Sequence, residues 1–258
     1  MQTSRTVTVT ALPGLPMFAA GMDVAGEIVR ALGDARLADG EVVVIAQKIV
    51  SKAEGRTVAL ADVAPGPQAL EIAAGSARPA AMAQLILDES ASILRATPAA
   101  VIARHRTGHV LANAGIDASN VDGGEAGTVL LWPVDPDASA RAIRSGLRAR
   151  TGACVGVVIA DSMGRAWRVG TVGAAIGCAG LTVLEDRRGR AQDLYGRTLQ
   201  ATVIAVADAL AAAAVLAMGE GAEGTPVAIV RGAGQWVSED DGPGAVAGLR
   251  PVAEDMFR

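Results

Sequence analysis

The amino-acid sequence predicts an α+β fold built on mixed or antiparallel sheets. Apolar runs of strand length recur along the chain, and amphipathic helical segments are scattered among them. The two kinds do not alternate with the steady strand–helix rhythm of a doubly wound parallel sheet. With aromatic residues at only 2%, the core must be built from Ala, Val, Leu and Ile.

The elements follow in order. "TVTVTAL" (6–12) alternates apolar and polar residues and predicts a strand, which "PGLPM" (13–17) ends in a Gly/Pro turn. Asp23 is placed to cap a helix carrying Val24, Ile28, Val29 and Leu32 on one side. "EVVVIA" (41–46) is a continuous apolar run and predicts a buried strand, with Lys48 and Lys52 in the loop after it. Helices are expected near 68–74 and 79–95. "AVIARH" and "HVLANA" flank "RTG" and predict a hairpin, and "TVLL" (128–131) a short strand. "DPDASARAIRSGLRAR" opens on capping residues and becomes an amphipathic helix, and "CVGVVIAD" (154–161) is a buried strand ending in an acid. "EDRRGRAQDLYGR", with the single tyrosine Tyr195, is expected as a surface loop entering a helix. A long Ala-rich helix (198–218) then leads to a glycine loop and the strand "PVAIVRG" (226–232). From 233 to 258 the chain is Gly/Pro-rich and polar, a linker or tail behind a domain spanning 1–232.

Bulk properties narrow the function. The 258 residues, 51% hydrophobic and 19% charged, carry a net charge of −4, a globular composition without a basic face for nucleic acid or membrane. Asp208 lies inside the Ala-rich run, where insertion into a bilayer would cost roughly 2.5–3.5 kcal/mol, so a core helix is the better reading. The opening "MQTSRTVTVT" lacks the apolar stretch of a signal peptide, and Cys154 and Cys178 form no disulfide framework, so a cytoplasmic enzyme is the simplest class.

The glycine loop "MGEGAEGTP" (218–226) contains G-x-G-x-x-G at Gly219, Gly221 and Gly224. A dinucleotide fingerprint follows a strand and opens a helix. Here a helix precedes and a strand follows, so that reading fails; Gly219 suits a helix C-cap. Glu220 and Glu223 would repel a phosphate by about 1 kcal/mol at 4 Å in water and about 4 at an effective dielectric of 20. A divalent cation between them would remove that conflict, and it predicts further acids at loop edges. Asp117 in "NAGIDASN" and Asp161 in "VVIADSMGR", with the Ser162 hydroxyl beside it, meet that expectation, and Lys48, Lys52, Arg165 and Arg168 supply cations. His105 and His109 are spaced i, i+4, but the Thr-Gly between them reads as a turn, which favours a structural role over zinc.

Taken together, "GLPM" (14–17), "VSKAEGR" (50–56), "NAGIDASNV" (113–121), "DPDASA" (135–140), "DSMGRAWRVGTVGAAIG" (161–177), "DLYGR" (193–197) and "MGEGAEGTP" make the chain resemble the coenzyme F-420:L-glutamate ligases. The likeness runs from about residue 7 to 232. It implies a two-lobed α+β domain in an intertwined homodimer, and a GTP-dependent ligase. Such an enzyme adds L-glutamate to the deazaflavin precursor F-420-0, and then γ-linked glutamates, through an acyl phosphate. It implies Mn²⁺ or Mg²⁺, as two ions, with K⁺ as a further ion. Asp117, Asp161, Ser162 and Glu220 match the family's metal ligands, and Asp117, Asp161 and Glu220 are the residues expected to carry catalysis. Gly14, Leu15, Pro16, Met17, Lys52, Asn120 and the loop Met218, Gly219, Glu220, Gly221, Ala222, Glu223, Gly224 and Thr225 match its GTP contacts. Gln47 and Lys48 join that set at a pair that is often small hydroxyl residues in the family, and Ser162 stands where threonine is common. Some relatives carry a flavin-binding, reductase-like domain next, and this chain stops about where it would begin. A regulatory nucleotide-binding module and a metal-dependent phosphohydrolase would share the same acids and glycine loop.

Overall fold

A computed structural model describes residues 5–255; the first four and last three residues of the expected domain and tail lie outside the described range. The centre is a five-stranded mixed sheet in the order β1-β12-β2-β8-β9. Its strands are β1 (Thr8–Ala11), β2 (Val42–Ala46), β8 (Gly156–Arg165), β9 (Arg168–Ala179) and β12 (Val227–Arg231). β2 and β8 are parallel; the other neighbours are antiparallel.

β2 is apolar throughout because helices cover both faces of the sheet. Val43 and Ile45 face a core shared with Val157, Ile159 and helices α1 (Val24–Leu32), α2 (Gln47–Ala53) and α5 (Pro136–Thr151). Val42 and Val44 face a second core shared with Val158, Ala228 and helix α6 (Val206–Met218). The Ala-rich composition of α6 lets it lie close on the sheet. A Cβ at Gly173 of β9 would stand 2.5 Å from the Ala211 carbonyl oxygen, and on the opposite face one at Gly177 would stand 2.3 Å from that of Pro136.

A third core gathers Ala69, Ile72, Ile86, Ala103, Ala114, Ile116 and Leu131. It is enclosed by α3 (Pro67–Gly75), α4 (Ala80–Asp88), the sheet β4 (Ser90–Ala96), β5 (Val101–His105) and β6 (Val110–Ala112), and the pair β3 (Thr57–Ala59) with β7 (Thr128–Leu130). The pair β10 (Leu184–Asp186) and β11 (Val203–Ala205) completes the set. The α+β class, the hairpin around Thr107 and the caps at Asp23 and Asp135 match expectation: Asp23 accepts from the Gly26 N–H and Asp135 from the Ala138 N–H.

Several expectations are corrected. Lys48 and Lys52 lie on helix α2 rather than in a loop. The expected helix at 79–95 stops at Asp88, and Ser90–Ala96 is a strand. There Glu89 caps the helix, with its buried carboxylate paired to Arg56 and Arg106. Asp161 does not end its strand: β8 runs on to Arg165 and pairs with β9 as a two-stranded ribbon beyond β2, an element the Gly-rich run 168–179 gave no pattern for. The Ala-rich helix begins at Val206, not 198, because Val203–Ala205 pairs with β10. The loop around Tyr195 therefore leads into a strand, and its Arg187 and Arg188 pair with Glu185 and Asp186. The segment 233–255 touches the domain at particular points: Leu181 bridges Val237, Arg144 donates to the Ser238 and Glu239 carbonyls, and the Ala245 N–H donates to Asp137.

Candidate active site at the edge of the central sheet

Sheet register brings the sequence-distant motifs to one edge. Ala46 at the end of β2 aligns with Ala160, so Asp161 is the first residue of β8 beyond the pairing with β2, beside the start of helix α2. The Leu12 N–H bonds the Val227 carbonyl and the Ala46 N–H the Pro226 carbonyl, so the segment after β1 and the glycine loop before β12 arrive there too. Helix α2 starts at this edge and presents Lys48 and Lys52 one turn apart.

Asp117 comes from the third-core side, on a loop bridged to Leu130. Its carboxylate accepts the Lys48 ammonium, the Ser119 N–H at 2.8 Å and the Ser119 hydroxyl at 2.7 Å. Burial pushes the Asp117 carboxyl up, but these donors outweigh it and hold it below the usual carboxylate range. Lys48 also reaches the Ser119 hydroxyl at 2.9 Å. Lys52 donates to the Asn120 carbonyl at 2.6 Å, and the Asn120 amide donates to the Gly221 carbonyl at 3.2 Å. Burial, reinforced by the charge of Lys48, lowers the Lys52 ammonium from its ordinary value.

Asp161 is the most perturbed acid of the site. Burial pushes its carboxyl up to about 6, against a hydrogen bond from the Trp132 indole, the charge of Lys48 and the Ser162 N–H; the nearby Asp117 pushes the same way as burial. The Ser162 hydroxyl donates to Glu220 on the glycine loop. Gly219 caps α6 at φ +80°, its N–H on the Val215 carbonyl, and the Thr225 hydroxyl closes the loop on the Met218 carbonyl at 2.8 Å. Glu223 folds back to accept the Gly221 N–H at 2.7 Å. Glu220, Gly221, Ala222 and Gly224 are exposed.

The remaining expected residues are placed less centrally. Gly14, at φ +79°, offers its carbonyl to Arg30; Leu15 packs on the core; Met17 is 83% exposed. Gln47 is buried, with its carbonyl on the Ser51 hydroxyl. Arg165 donates to the Val169 carbonyl of its own hairpin, and Tyr195 stands out in solvent beneath the Arg197 guanidinium. His105 and His109 are linked through the Thr107 hydroxyl and flank the Trp132 ring. Trp132 itself was missed by sequence reasoning, although a tryptophan in a chain so poor in aromatics was the available signal.

Among the described residues, no three of His, Cys, Asp and Glu stand close enough, as placed, to share a metal ion. The chemistry of Asp117, Asp161, Ser162 and Glu220 nonetheless suits a hard divalent cation: all four offer oxygen, and the half-buried Asp161 carboxyl accepts the Trp132 indole N–H and the Ser162 N–H.

Fold and site define an α+β protein with acids and lysines gathered at one sheet edge. The model of the F420-0:gamma-glutamyl ligase family matches residues 14–232. The coenzyme F420:L-glutamate ligase of Methanothermobacter thermautotrophicus is 44% identical over 98% of this chain and 99% of its own length. Those of Methanopyrus kandleri (44% identical, 87% of this chain and 88% of the relative) and Methanocaldococcus jannaschii (38%, 95% and 94%) are similar throughout. The chain therefore belongs to the F420-0:gamma-glutamyl ligase family and is a ligase. No helix among the described residues is long and apolar enough to cross a membrane.

Proposed function

We propose that this ligase joins L-glutamate to coenzyme F-420-0, and then adds γ-linked glutamates, at the expense of GTP. The substrates named by its relatives support the amide-forming reaction. The observation that carries the site assignment is the meeting of Asp117, Lys48, Asp161, Ser162 and Glu220 at one sheet edge, beside the glycine loop.

In this reading Lys48 and Lys52 offer ammonium groups to phosphate oxygens, and the exposed backbone from Gly219 to Gly224 lets a nucleotide approach closely. Asp117, Asp161, Ser162 and Glu220 would hold two divalent ions, Mn²⁺ or Mg²⁺. When bound, these screen the phosphates and polarise the transferred phosphoryl group. The F-420-0 carboxylate takes the γ-phosphoryl group of GTP, releasing GDP. The glutamate amine then displaces phosphate from the acyl phosphate. Lys48, held on Asp117 and Ser119, would be within reach of phosphates bound beside that acid. The active form is a homodimer.

The test is mass spectrometry of F-420-0, GTP, Mn²⁺ and glutamate incubated with the protein. The expected product gains one or more glutamate masses, with matching GDP. Asp117→Asn and Asp161→Asn should abolish addition and leave the melting curve cooperative. Phosphate release that ignores glutamate would point to a phosphohydrolase, and GTP binding without product to a regulatory module. Full activity of either variant at limiting Mn²⁺ would remove the metal assignment.

A further inference from the structure

Trp132 is wholly buried and touches Asp161 directly and, at Gly115, the loop that carries Asp117. Its indole Nε1–H donates to Asp161 Oδ2 at 2.8 Å. The same edge of the ring lies against Gly115, two residues before Asp117. A Cβ on Gly115 would stand 2.4 Å from Nε1 and 2.5 Å from Cε2, and the φ of +74° there already favours glycine.

The ring is itself held. His105 lies 5.0 Å away, tilted by 52°, and His109 stands edge-on at 5.5 Å. The Trp132 carbonyl accepts the Arg56 Nε–H at 2.9 Å, and Arg56 is anchored on buried Glu89 at 2.8 Å. Such a ring moves little, so the groups that touch it keep their spacing.

We infer that Trp132 is a positioning residue that sets the separation and orientation of Asp117 and Asp161. Its indole N–H orients one carboxylate by hydrogen bond, and its ring edge seats the loop of the other by contact at Gly115. This rests on reading the two acids as a cation-binding pair. It adds that the pair's geometry is imposed by one aromatic ring from the β7–α5 connection. Outer-shell donors of this kind typically carry a 10–100-fold share of metal affinity.

The first experiment uses the wild-type protein. The indole N–H resonances of Trp132, Trp167 and Trp236 are followed by ¹⁵N-edited NMR while Mg²⁺ is added, and assigned with Trp167→Phe and Trp236→Phe. The Trp132 signal should shift with the binding isotherm, whereas that of Trp236, bonded to Glu185, should not. The second measures Mn²⁺ affinity by electron paramagnetic resonance. Trp132→Phe, which keeps an aromatic ring but loses the N–H, should weaken Mn²⁺ by about 10–100-fold. Its kcat should fall while KM for glutamate stays. Asp161→Asn is the control for the site itself. If it binds Mn²⁺ as wild type does, the cation reading falls and the role of Trp132 with it. If Asp161→Asn loses Mn²⁺ but folded Trp132→Phe does not, or if the wild-type Trp132 signal stays still at saturating Mg²⁺, the positioning role alone is overturned.

Discussion

Glu220 and Glu223 are three residues apart on one loop and do different work. Glu220 faces outward to the Ser162 hydroxyl, whereas Glu223 turns back on the Gly221 N–H. Glu220→Gln should reduce kcat/KM for glutamate addition beyond the ~10–100-fold typical of outer-shell changes. Glu223→Gln keeps an acceptor for Gly221 and should cost less than about tenfold, the equivalent of one weakened hydrogen bond. Steady-state kinetics of both variants checks the order; a larger effect at Glu223 would exchange their roles. At this scale the sequence was readable where chemistry demands a residue type. The acids were found because a carboxylate in a glycine loop conflicts with phosphate. Trp132 was not found, because a buried ring bonding an acid 29 residues away leaves no local pattern.

Elements carry the next layer. Helix α5 opens with two acids of different function. Asp135 caps its N-terminus, and Asp137, within the first turn, accepts the Cys178 N–H at 2.8 Å and the Ala245 N–H at 2.7 Å. Asp135→Ala should cost about 1 kcal/mol in urea unfolding, as cap removals do. Asp137→Ala leaves two buried donors without their acceptor and should cost more, about 2–4 kcal/mol. Hydrogen exchange should then accelerate at Ala245 while β2 stays protected, since that bond ties the residues after Gly232 to the core. An equal effect of the two substitutions would deny Asp137 this role. The capping acids were legible from "DPDASA", but the partners of Asp137 were not, because they come from a strand and a terminal segment far along the chain.

For the whole molecule, Glu89 and His109 weaken the fold on acidification, while the raised Asp161 carboxyl works in the opposite direction below about pH 6. Burial pushes the Glu89 carboxyl up, but the His105 ring with Arg56 and Arg106 outweighs it and holds it below its ordinary value. Burial lowers His109 below its ordinary value too. In both cases the folded chain binds fewer protons than the unfolded chain as pH falls. The contribution of His109 is complete above the unfolded histidine value near 6.5 and erodes below it; that of Glu89 erodes below the unfolded carboxyl value near 4.3. The part of the unfolding free energy that these two groups carry should therefore fall in two stages on acidification, seen most clearly against an Asp161→Asn background. His109→Gln should flatten the first stage, and Glu89→Gln the second, with a loss of about 2–3 kcal/mol at neutral pH from the broken ion pairs. Urea midpoints at pH 7, 5.5 and 4 measure both; a slope unchanged in the variants would remove these groups as its source.

Local order along the chain was enough for the α+β class, the buried strand at 41–46, the helix caps and the acids of the glycine loop. Each of these follows from side-chain period, backbone restriction or charge within a few residues. Tertiary structure decided where Ser90–Ala96 left the helix, how far β8 ran, and that β9 existed. In those segments pairing and burial against distant partners outweighed weak local preference. It also decided that Lys48, Asp117, Asp161 and Glu220 share one edge. Sheet register and loop closure set that meeting, and both depend on contacts more than fifty residues apart.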